Sequence, residues 1–62
     1  MAAAAELSSV ATALGELTTR VADLAEGLSA ESRDDLSTAL YEVERSLGAA
    51  ARRLEAMVDE LR

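Results

Sequence analysis

The chain has no cysteine and no histidine, and these two absences remove most of the chemistry that 62 residues could carry. Without Cys there is no disulfide, thiol nucleophile or soft metal ligand. Without His there is no side chain that ordinarily titrates near neutral pH. Proline is missing too, so nothing forces a helix to stop or kink. Lys, Ile, Phe, Trp, Asn and Gln are also absent, and Tyr41 is the only aromatic residue. Basic charge is scarce: six Arg stand against twelve acidic residues, for a net charge of −6. Nucleic acid and anionic lipid attract basic surfaces, so this balance argues against direct binding to either. No apolar run approaches the roughly 20 residues needed to cross a bilayer. The segment Met1-Ala2-Ala3-Ala4-Ala5-Glu6 lacks the basic stretch and long apolar core of a secretory signal. A cytoplasmic location is expected.

What is present is Ala and Leu in helical order. Leu7, Val10, Leu14, Leu17, Val21, Leu24 and Leu28 alternate spacings of three and four. Leu36, Leu40, Val43, Leu47, Ala50, Leu54, Met57 and Leu61 do the same. Of the sixteen Leu, Val and Met residues, only Met1 and Val58 fall outside these two stripes. A period-2 strand pattern fits neither segment, whereas Ala-rich composition favours helix. The sequence therefore predicts an all-α fold: an antiparallel, coiled-coil-like helical hairpin forming one domain over residues 1–62. Its helices are expected at about 3–27 and 30–61, each roughly 40–50 Å long at 1.5 Å per residue.

The turn is expected at 27–29. Gly27 can take the left-handed conformation that ends a helix, and Ser29 can cap the next. Ser32 with Asp35 is a competing capping-box start. Glu31, Asp34 and Asp35 put negative charge near the positive end of the second helix dipole in either case. Two registers match stripe to stripe. One places Leu24 against Leu40 and Leu17 against Leu47; the other slips by a heptad, suits the Ser29 cap and leaves Met57 and Leu61 overhanging.

A single hairpin buries a small fraction of its surface, and ordering each residue costs about 1.5 kcal/mol. Disulfides and metals are ruled out by composition, so oligomerisation is the remaining way to cover apolar surface. A homodimer, two hairpins pairing into a four-helix bundle, is expected. The interface seam is assigned to Leu7, Val10, Leu14, Leu17, Val21, Leu24, Leu36, Leu40, Val43, Leu47, Leu54, Met57 and Leu61. A second, small-residue stripe runs beside it on the first helix through Ser8, Ala11, Gly15, Thr18, Ala22 and Ala25, and could dock a third helix. On the second helix, Tyr41, Gly48 and Val58 share a line with Ser37, Glu44 and Ala51, and suggest an outer contact face. Gly15 and Gly48 each cost about 0.5–1 kcal/mol in a helix interior, which close backbone approach would explain.

No constellation points to catalysis. Glu42 with Glu44 and Asp59 with Glu60 lie off the seam, where nothing would shift their pKa values for acid–base work. Zinc spacings, phosphate-binding Gly loops and Ser nucleophile motifs are absent, so neither cofactor nor metal is expected. Arg45 and Arg52 share one outer line with Arg53 beside it, balanced by Glu42, Glu44, Glu55 and Asp59; this reads as a solvated face before it reads as an anion contact. Glu16 and Arg20 are spaced for an i,i+4 pair. The expected function is a non-catalytic protein–protein interaction module: an oligomerising adaptor or scaffold with an acidic outer surface for a protein partner. The alternative is a small acidic regulator that sequesters a transcription or DNA-associated factor.

Overall fold

A computed structural model of the chain describes residues 2–62. It contains two helices, α1 (Ala2–Ala30) and α2 (Asp34–Leu61), which pack along their length as a hairpin measuring 47 × 13 × 10 Å across its Cα atoms. Allowing a Cα radius of about 2.3 Å for each helix, the 13 Å width leaves an axis separation on the order of 8 Å. That is the close end of the usual 8–10 Å range, and it requires small side chains at the contact.

The turn, at residues 31–33, lies four residues later than the sequence suggests. α1 runs straight through Gly27, which has no positive φ, and the left-handed residue is Ser32 with φ 64°. Around it the chain forms a Schellman closure. The Arg33 N–H donates to the Leu28 carbonyl at 2.8 Å, and the Ser32 N–H donates to the Ser29 carbonyl at 3.0 Å. Two of the orphan carbonyls at the end of α1 are thereby satisfied, which is what fixes the stop. α2 then begins after Arg33, which makes no side-chain cap. Ser29 does not act as the N-cap; its hydroxyl instead makes a long contact of 3.4 Å to the Asp34 carboxylate. The Ser32–Asp35 capping box is not formed either, because Ser32 is engaged in ending α1. Asp34 and Asp35 do occupy the first turn of α2, where the helix dipole favours them.

Register is set across the helices by Ser37, whose hydroxyl donates to the Ala25 carbonyl at 2.8 Å. Both residues are buried, Ala25 completely. Stepping two heptads away from this pair brings Ala11 level with Ala51, and both are buried. One heptad further, Val58 is buried at the level of the half-buried Ala4. Neither register expected from the stripes is adopted, since the contact line runs beside the Leu/Val stripes and not along them.

Candidate functional site

The helices meet through their smallest residues. The contact line is Ala4, Ala11, Thr18 and Ala25 on α1, facing Ser37, Glu44, Ala51 and Val58 on α2. The side chains buried below a tenth of their surface are Ala11, Ala25, Ser37, Ala51 and Val58, and no large side chain is fully buried among the described residues. The small-residue stripe of α1 is thus occupied by α2 and not open to a third helix. Val58 is likewise inside the hairpin, not on an outer face. Thr18, half-buried, satisfies its hydroxyl by donating to the Leu14 carbonyl of its own helix at 2.7 Å.

The Leu/Val seam is split by this arrangement. Leu7, Leu14, Val21 and Leu28 on α1, with Leu40, Leu47 and Leu54 on α2, lie half-buried at the margin of the contact. Val10, Leu17 and Leu24 on α1, with Leu36, Val43, Met57 and Leu61 on α2, are exposed, Leu24 to 62%. The three exposed α1 residues each precede a contact-line residue by one position, as do Leu36, Val43, Ala50 and Met57 on α2. In two right-handed helices running in opposite directions, that one-residue step rotates both toward the same side of the hairpin. Both halves of the seam therefore merge into one continuous apolar face along the hairpin's length. A shallow groove lined by Ala50, Arg53, Leu54 and Met57 opens on it, where Ala50 interrupts the row of large side chains.

The extent of the face can be weighed against known interfaces. The chain exposes 4508 Å², while a compact monomer of 6.5 kDa exposes about 3,800 Å². A face 47 Å long and two helix diameters wide offers on the order of 900 Å². A standard stable interface buries roughly 800 Å² on each partner. The face is large enough.

Elsewhere the surface is polar and offers little organisation. Tyr41 sits at the opposite margin of the contact, 37% exposed. Gly15 and Gly48 are half-buried, but they are not points of forced approach. A Cβ on Gly15 would meet nothing within 4 Å, and one on Gly48 would reach only Arg52 Nη1 at 3.5 Å. The Glu16–Arg20 pair is not formed; the ion pair found among the described residues joins Arg33 Nε to Asp35 Oδ1 at 3.4 Å. Arg33 holds the Asp35 carboxyl below its ordinary pKa, with help from the Leu36 backbone N–H. Among the described residues no group of three or more acidic side chains is placed to hold a metal ion, and no helix is long and apolar enough to cross a membrane. No family model, curated protein or solved structure matches this chain. The apolar face is therefore the whole ground for a functional reading.

Proposed function

We propose that this chain is a non-catalytic protein–protein interaction module that dimerises through its apolar face into a four-helix bundle and serves in the cytoplasm as a small adaptor or scaffold. One observation carries the reading: none of the ten Leu residues is buried within the hairpin, and the exposed ones lie on one side. A lone hairpin would leave that side in water at about 25 cal/mol for every Å² of apolar surface. A contiguous patch of this size on a soluble helical protein marks an interaction site. A second copy brings an identical apolar face of matching length, and two such faces pair in isologous fashion. In the bundle the polar, acidic sides of both hairpins remain outside for a protein partner. The mechanism is helix-to-helix packing, with no cofactor or metal.

Light scattering during size exclusion at micromolar concentration tests it. Twice the 6.5 kDa chain mass is expected, and a folded monomer at that concentration would overturn it.

A further inference from the structure

A twofold pair of hairpins meeting face to face can be built in two ways, with the turns at the same end or at opposite ends. Resting on the dimer proposed above, we infer that the second copy docks with its turn at the opposite end, so that the two α1 helices run antiparallel past each other at Leu17.

Charge distribution decides between the two arrangements. Residues 17–46, the half of the hairpin nearest the turn, hold seven acidic residues and three Arg. The remaining residues hold five acidic residues and three Arg. The imbalance is sharpest at the turn. Asp23, Glu26, Glu31, Asp34 and Asp35 stand there against Arg33 alone, and Arg33 is already engaged by Asp35. Turns at the same end would bring two such clusters together, within the roughly 10 Å over which charges act at moderate ionic strength. Turns at opposite ends separate them by most of the 47 Å hairpin. Each turn then lies beside the end of its partner where Arg52, Arg53 and Arg62 stand among Glu6, Glu55, Asp59 and Glu60, an end closer to charge balance than the turn. Like-charge juxtaposition selects against the first arrangement, and the second lessens it.

The apolar rows fit this geometry. With the twofold axis at Leu17, Val10 of each α1 comes level with Leu24 of the other. The hairpin register places the same axis between Leu47 and Val43 on α2, so Leu54 comes level with the second copy's Leu36. Leu40 comes level with Ala50, and the groove at Ala50 receives it.

The absence of cysteine makes the test direct. Ala30 is exposed at the end of α1 and lies off the apolar face, so Ala30→Cys carries a nitroxide without disturbing the interface. Pulsed dipolar spectroscopy on the full chain should give one distance of about 45 Å, close to the hairpin length. A distance of about 20 Å, two helix diameters, with a dimeric mass would overturn the orientation and leave the dimer standing. Loss of dipolar signal with a monomeric mass by light scattering would overturn the dimer itself. Both distances together, or a mass above the dimer, would equally overturn the single arrangement inferred here.

Discussion

Ser37 and Ala25 are joined across the hairpin by a buried hydrogen bond, the Ser37 hydroxyl donating to the Ala25 carbonyl at 2.8 Å. It is the one buried side-chain hydrogen bond between α1 and α2 among the described residues; the other, from the Ser29 hydroxyl to the Asp34 carboxylate, is exposed and long at 3.4 Å. A buried hydroxyl without a partner is costly, and a slip in register would leave Ser37 only a carbonyl of its own helix to bond, as Thr18 does. Ser37→Ala removes both the bond and that penalty. It should lower stability by about 1 kcal/mol, read as a shift in urea midpoint at fixed protein concentration. Ser37→Cys keeps nearly the same size but donates only weakly, and should show most of the same loss under reducing conditions; stability equal to wild type in both variants would remove the register role.

Ser32 holds a left-handed conformation that costs a side-chain-bearing residue about 1–2 kcal/mol relative to the right-handed one. Ser32→Gly relieves this and loses part of the gain to the greater entropy of the unfolded chain, for a net stabilisation of about 0.5–1 kcal/mol. Gly27 is the converse case. It lies inside α1, and an added Cβ would meet nothing within 4 Å. Gly27→Ala should therefore stabilise by about 1 kcal/mol. Thermal unfolding of the two variants and their combination checks both, and the gains should add closely because the sites share no contact. A drop in Tm for Ser32→Gly would contradict the turn geometry.

Leu17 and Leu24 are exposed in the hairpin, so their truncation separates association from folding of the single chain. Leu17→Ala should cost about 2–5 kcal/mol at each copy's site if the face is a dimer core, and far less if it faces water. Leu24→Glu should prevent self-association and leave helical circular dichroism in place at high concentration. Ala25→Leu acts the other way. Ala25 is fully buried, so a larger side chain forces the helices apart at a cost of about 1–3 kcal/mol.

Ionic strength and pH act on the same charges. Each chain carries −6, so screening should tighten self-association as NaCl rises from about 50 to 500 mM. Sedimentation equilibrium across that range checks it, and weakening would identify an electrostatic assembly instead. Asp35 has a lowered pKa in the folded chain, held first by Arg33. A depressed carboxyl stabilises the fold above its unfolded pKa and loses that contribution as pH falls through the folded value. This part of stability should be flat near neutrality and decline below about pH 5. Asp35→Asn should blunt the decline without changing the fold.

The sequence by itself determined that there are two helices and that they form a hairpin. The three-four spacing of Leu and Val, abundant Ala and absent Pro leave helix as the one period that fits. It also marked the apolar rows, because large side chains carry most of the hydrophobic signal. Tertiary structure decided which side of each helix faces the other. Ala11, Ala25 and Ala51 pack at close range, whereas Leu in those places would hold the axes further apart. Periodicity weighs hydrophobicity and not shape, so it put the Leu/Val rows at the centre of the hairpin, whereas they form its margin and outer face. Ser37 and Glu44 on the contact line read as outer-face polar residues for the same reason. The turn was misplaced because a Gly signals permission for left-handed backbone and not its use. At Gly27 the helix continues, and it is the left-handed turn at Ser32 that brings the Arg33 N–H to the Leu28 carbonyl and closes the end of α1.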